Sequence, residues 1–207
     1  MHQLPKSSKP LRIWLRRIFA TLGLLVVALG VYAGYTIYHA NLRVVVSGKA
    51  YRSGQMNGEQ LTRTIQDHGI KSIVNLRGEN PTTTWHQTEI ETCTKLNVIH
   101  YDRSLSSGRE LTLEEMDELV ALLRQAPKPV LIHCLGGADR SGLVSALYEV
   151  AIEGRTPEEA DRELSIWYGY APVIRPKVLA MDRSYWRYIS NRVAHAELKF
   201  QSGSMAP

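Results

Sequence analysis

Cys134 and Arg140 are the residues of this 207-residue chain whose types and spacing could do chemistry together. They lie in the stretch VLIHCLGGADRSGLV, residues 130–144, whose two apolar ends flank a glycine-bearing loop. The run PVLIH reads as a buried strand that delivers Cys134 at its carboxyl end, and a helix is expected from Ser141 to Glu153. In open α/β sheets ligands bind outside the carboxyl ends of strands. A helix N-terminus there offers free N–H groups and a partial positive charge. Leu135, Gly136, Gly137, Ala138, Asp139 and Arg140 form the loop, and its glycines let main-chain amides converge into an anion cradle. Arg140 can add a two-pronged grip on phosphate oxygens. The same field lowers a thiol pKa, which makes Cys134 a nucleophile. The expected reaction is in-line displacement at phosphorus, a phosphocysteine intermediate, then hydrolysis by water. Ser141 is placed to hydrogen-bond the sulfur and ease its departure, and His133 to position the loop rather than act as a base. Zinc does not fit, because no second Cys/His pair lies at ligand spacing, and no cofactor is expected.

Such a loop needs elements that hold it. VVVSGKAYRSG reads as a hairpin turning at Ser47-Gly48. Asn57 caps a helix ending near Gly69, KSIVNL is a short strand, Thr84 to Leu96 is helical in pattern, and NVIHY is the next strand. Thr112-Leu113-Glu114-Glu115 is a capping box that opens a helix stopping before Pro127. Thr156-Pro157-Glu158-Glu159 is a second capping box, and a last helix is expected over Pro176 to Lys199. Strands alternating with helices predict an α/β fold: a central, mainly parallel sheet of roughly four to five strands flanked by helices.

The net charge of +5 is unevenly placed. Residues 1–43 hold six basic residues and no acid, which leaves 19 basic against 20 acidic residues in the remainder. The body is therefore near neutral, and no nucleic-acid partner is expected. Ile18 to Tyr38 carries no charged residue over 21 positions, the length of a single transmembrane helix. Tyr32, Tyr35 and Tyr38 crowd its far end, while Arg12, Arg16 and Arg17 flank its near end. The positive-inside rule puts the N-terminus in the cytoplasm and the rest across the membrane, in the periplasm of a bacterium. A cleaved signal peptide, cut after Val31-Tyr32-Ala33, is the alternative. The expected parts are a basic cytoplasmic tail (1–17), a transmembrane helix or signal anchor (18–38), a catalytic domain (44–199) and a flexible C-terminus (200–207).

HCLGGADRSG resembles the signature loop of the cysteine-dependent phosphatases of the tyrosine and dual-specificity superfamily, and AYRSGQ and IVNLRGE resemble segments of compact dual-specificity members. The resemblance spans residues 44–170 and implies metal-free hydrolysis of a phosphorylated protein or another phosphomonoester. It implies Cys134 as nucleophile, Arg140 as phosphate binder, Ser141 as thiolate stabiliser and the amides of 135–140 as the cradle. The family takes the leaving-group proton from an Asp on the loop after an earlier strand, and Asp102 fits by place, with Glu110 and Asp139 as rivals. The surrounding YDRSLSSGREL departs from the usual acid-loop pattern; without an acid, aryl phosphates are the expected substrates. The resemblance also raises Cys93 as a redox partner for Cys134, against a plain buried helix cysteine. Arg52 is read as a structural ion-pair partner, Arg77 and Glu79 as rim residues or a turn pair, and Trp167, Tyr168 and Tyr170 as packing aromatics. A lipid or glycan phosphatase at the membrane face, a catalytically weak phosphate-binding module and a rhodanese-like sulfur transferase are the competing functions.

Overall fold

A computed structural model describes residues 9–203 of the chain, which falls into two compact units meeting at His39 and Ala40. The first contains helix α1, Lys9–Tyr38. Within it Arg12–Thr36 is long and apolar enough to cross a membrane. The helix begins inside the expected tail: Pro10 falls in its first turn, where a proline costs no intrahelical hydrogen bond, and Leu11 to Arg17 contain no glycine or proline; residues 1–8 lie outside the described residues.

The second unit is built on a five-stranded sheet ordered β1-β2-β5-β3-β4. Its strands are β1 (Arg43–Val46), β2 (Ala50–Ser53), β3 (Ser72–Asn75), β4 (Ile99–Asp102) and β5 (Val130–His133). Only the β1–β2 hairpin is antiparallel; β2, β5, β3 and β4 run parallel. The reason for the central place of β5 is its composition: all four residues are buried, so both faces must be covered. Alternation sends Val130 and Ile132 to one face and Leu131 to the other.

Helices α2 (Gly58–His68) and α3 (Thr84–Lys95) cover the Leu131 face, contributing Leu61, Ile65 and Cys93 to its core. Helices α4 (Leu113–Gln125), α5 (Asp139–Ala151) and α7 (Leu179–Gly203) cover the other face with Met116, Leu119, Leu143, Leu147, Met181 and Tyr185. The local stop and start signals act as expected. Asn57 and Thr112 each accept from the N3 amide in full capping boxes, and Gly69 ends α2 in the left-handed region at φ 61°.

Three boundaries differ from the expectation. Helix α5 starts two residues earlier, at Asp139, so the loop is shorter. The helix after Thr156, α6 (Pro157–Ala160), stops after one turn and tightens into a 3-10 turn at Asp161–Glu163, which presents Glu163 to a buried arginine. The last helix begins with a separate 3-10 turn, Pro176–Val178, and α7 continues to Gly203, past the expected frayed end at 200; residues 204–207 lie outside the described residues.

Candidate active site

The loop after β5 is shaped from behind. Its carbonyls are all claimed: Leu135 O by the Gln55 amide (3.0 Å), Gly136 O and Gly137 O by Asn41 Nδ2 (3.1 and 3.0 Å), and Gly137 O and Ala138 O by Arg52 Nη2 (2.9 and 2.8 Å). In a planar trans peptide the carbonyl of one residue and the N–H of the next point in opposite directions. Drawing four consecutive carbonyls outward therefore turns the amides of residues 136–139 inward. Close contact demands glycine at 137: its φ is 67°, and a Cβ there would sit 2.4 Å from Gly54 N. Arg52, fully buried, is held in turn by the carbonyl and carboxylate of Glu163, both at 2.6 Å, and its guanidinium lies over Tyr168. It is the structural ion-pair partner that the sequence suggested.

Cys134 sits at the open end of β5, 2% exposed, with Sγ 3.5 Å from Ser141 Oγ. Burial pushes its thiol pKa up. That push is outweighed by the hydroxyl and amide of Ser141, the Arg140 charge and the Gly137 amide, so the pKa falls below that of an ordinary thiol. Arg140 is half-buried, its Nη1 donating to Leu76 O (3.1 Å) and Leu105 O (3.3 Å). Asp139 does not hang into the cradle: Arg175 holds both its oxygens, at 2.9 and 3.0 Å, and balances its charge.

His133 is anchored by a residue that the sequence reading missed. Glu89 of α3, 3% exposed, accepts from His133 Nε2 (2.9 Å), His100 Nε2 (2.8 Å) and Gln55 Nε2 (2.9 Å). Burial works against its charge, yet these donors hold its carboxyl well below the usual range. The sequence signal was a polar stripe: His86, Glu89 and Cys93 recur at helical spacing and form the buried face of α3. His133 Nδ1 lies 3.4 Å from Cys134 O, consistent with its expected service to the loop.

A family model described as a Swiss Army Knife protein, DSP-PTPase phosphatase domain, matches residues 40–182. The chain belongs to this family. It is a cysteine-dependent phosphatase, and the expected fold of the dual-specificity type is the one observed. Among solved structures it is similar to TpbA of P. aeruginosa in complex with pTyr, at 19% identity over 72% of this chain and 91% of that one, TM-score 0.53. It is also similar to the core catalytic domain of the PP-IP phosphatase SIW14 from S. cerevisiae in complex with citrate (20%, 78% and 93%, TM-score 0.58). Tk-PTP in the active form is a third (20%, 71% and 97%, TM-score 0.53). At these identities the likeness is one of fold. No curated protein matches the chain.

Several residues proposed from the sequence lie elsewhere in this DSP-PTPase domain. Asp102, expected on the loop just past NVIHY, is instead the last residue of β4, and its carboxylate accepts from Asn75 Nδ2 (2.7 Å) and lies 3.1 Å from His86 Nε2. It lines a shallow pocket with Glu79, His86, Gln87 and Glu91, none of them a loop residue. Glu110 is spent on Arg183 (3.6 Å) and Arg187 (3.4 Å). Each of the three candidate acids thus has a side-chain partner in this structure. Cys93 is 2% exposed in the α2–α3 core, with its thiol pushed up to about 12 by burial, while Cys134 belongs to the core on the other face of the sheet. Both thiols are free in this structure. Arg77 donates to Gln55 and stacks on Trp85. Tyr170 is buried as expected, but Trp167 is 71% exposed instead of packed. Among the described residues no cluster of three or more His, Cys, Asp or Glu could hold a metal.

Proposed function

We propose that this phosphatase hydrolyses phosphomonoesters through a phosphocysteine on Cys134, with aryl esters of the phosphotyrosine kind as its best substrates. The observation that carries the reading is a buried thiol of lowered pKa beneath inward-turned amides and beside Arg140. In the first step the sulfur attacks phosphorus in line as the ester P–O bond breaks. Arg140 and the amides of 136–139 take the three equatorial oxygens, whose charge they are preorganised to hold. In the second step water attacks phosphorus, the S–P bond breaks, the thiolate returns and both water protons leave on the phosphate. The Ser141 hydroxyl, 3.5 Å from the sulfur, stabilises the departing thiolate. With Asp102, Glu110 and Asp139 engaged elsewhere, the leaving oxygen departs as the anion or takes its proton from solvent, which favours aryl over alkyl esters.

The test is aryl phosphate turnover by the full chain in detergent, with chelator and reductant present. Cys134→Ser is expected to lose about 10³-fold or more, as nucleophile removal does. Asp102→Asn is expected to lose less than about tenfold, whereas removing a general acid costs about 10²-fold or more. Turnover surviving in Cys134→Ser would sink the mechanism, and a large loss in Asp102→Asn would make Asp102 the proton donor.

A second reading, an amphiphile phosphate at a membrane face, draws on the exposed Ile166, Trp167, Val173 and Ile174 (71%, 71%, 94% and 80%). Their segment is stapled to the loop by Arg175–Asp139 and by Asn41, which also donates to Tyr168 O (2.9 Å). Phosphatidate in micelles, compared with phenyl phosphate in the same assay, separates the two readings. We further propose that α1 anchors the chain in a membrane, N-terminus in the cytoplasm and the catalytic domain across it. The supports are the apolar span and the basic residues before it.

A further inference from the structure

The mouth of the cradle holds a second arginine, which the proposed mechanism does not use. Arg77 follows β3 directly after Leu76, whose carbonyl receives Arg140 Nη1. Its own main chain is fixed: the amide donates to Asn75 Oδ1 (2.9 Å), and the residue bridges to Ser104. Its guanidinium is fixed as well, stacked 3.7 Å from the centroid of the Trp85 ring. Nη1 donates to Gln55 Oε1 at 3.0 Å. Gln55 is itself locked, by its Nε2 on Glu89 and by its main-chain amide on Leu135 O of the cradle loop. One residue thus stands between Arg77 and the loop: Gln55 receives Arg77 on its side chain and bonds the loop through its main chain.

The charge at this place has no direct carboxylate partner. Arg52, Arg109, Arg155 and Arg175 each have a carboxylate partner. Among the described residues Arg77 and Arg140 have none, and Nη1 is the only guanidinium nitrogen of Arg77 with a hydrogen-bond partner. Glu89, the nearest acid in the network, is already shared among His133, His100 and Gln55. Burial and the Arg140 charge both pull the Arg77 pKa down, against Glu89 and Cys134, as expected for a cation held beside another cation. A half-buried guanidinium held in one orientation, with a free edge and no carboxylate in ion-pair contact, is preorganised for an anion. The phosphoryl group already has Arg140 and the loop amides in the proposed mechanism, so the anion for Arg77 is a different one.

The geometry points to Arg77 as a rim subsite for a second acidic group of the substrate, a carboxylate or a phosphate carried beside the phosphoester. This rests on the cradle being the phosphate site. It makes the substrate class a phosphomonoester with at least one further negative group, such as an aryl phosphate in an acidic peptide or a bisphosphorylated small molecule. Arg77 is then a specificity residue, and Trp85, Gln55 and Glu89 are the residues that position it.

The test is binding to the full chain carrying Cys134→Ser, followed by calorimetry in detergent, so that it does not depend on turnover. The probes are phenyl phosphate, 3-carboxyphenyl phosphate and 1,3-phenylene bisphosphate, of which the last two separate a carboxylate from a phosphate as the second group. Either acidic probe is expected to bind about tenfold more tightly than phenyl phosphate at low salt. The advantage should shrink as ionic strength rises. Adding Arg77→Gln should remove it, and Arg77→Lys should retain part of it, with thermal unfolding confirming that the variants are folded. Equal binding of all three probes, or an advantage that survives Arg77→Gln, overturns the subsite. If phenyl phosphate does not bind at all, the cradle reading fails first, and the subsite falls with it.

Discussion

At the scale of single residues, the proposed chemistry depends on one opposition at Cys134. Burial disfavours the thiolate, and four partners favour it, of which the Ser141 hydroxyl leads. In the proposed mechanism the thiolate is the nucleophile, so activity should set in with rising pH below the ordinary thiol value of about 8.5. Ser141→Ala removes the leading partner and leaves the burial. Its thiol pKa should rise, and the ascending limb of kcat/KM should move to higher pH. The second step should also suffer, because the departing sulfur loses its hydrogen bond. A burst of phenol followed by slow turnover is the expected time course. Alkylation of Cys134 by iodoacetamide across pH measures the thiol directly. A titration curve identical to that of wild type would remove Ser141 from this role.

At the scale of elements, the loop owes its shape to its neighbours as much as to its own residues. Gly137 shows this most sharply. A methyl group there would meet Gly54 N at 2.4 Å and the Ser53 carbonyl carbon at 2.6 Å, both main chain at the end of β2, and its φ is 67°. Neither neighbour can swing aside as a side chain would. Gly137→Ala should therefore destabilise the domain by about 1–3 kcal/mol and open the cradle. Gly136→Ala, with nothing within 4 Å of the added carbon, is the matched control and should leave the unfolding midpoint close to wild type. Equal midpoints for the two variants would mean that β2 does not brace the loop. What the sequence disclosed follows the same division. Strands and caps are local, so VLIH, Asn57 and the Thr112 box could be read from a few adjacent residues. The braces are long-range: Arg52 to Glu163, Asn41 to Gly136, Glu89 to His133. No spacing rule announces such a pair. Asp102, expected just past its strand, is the last residue of β4, and its partners Asn75 and His86 come from other elements, which no local pattern discloses.

At the scale of the whole molecule, charge and hydropathy divide the chain in the same place. The body is near neutral, and the excess of positive charge lies at the N-terminal end. Five basic residues (Lys6, Lys9, Arg12, Arg16 and Arg17) precede the apolar run, and no acid lies among them. Moving them across a bilayer against a potential that is negative inside is favourable only toward the cytoplasm, so an anchored chain should carry its catalytic domain on the far side. A reporter that works only outside the cytoplasm, fused after residue 207, should be active, and its cytoplasm-only counterpart silent. Replacing Arg12, Arg16 and Arg17 with Glu removes the bias at the near end, while Arg43 remains at the other. Part of the population should then invert, and the cytoplasmic reporter should gain signal. A wild-type fusion active only in the cytoplasm would reverse the assignment, and the domain would then meet its phosphorylated substrates among cytoplasmic molecules.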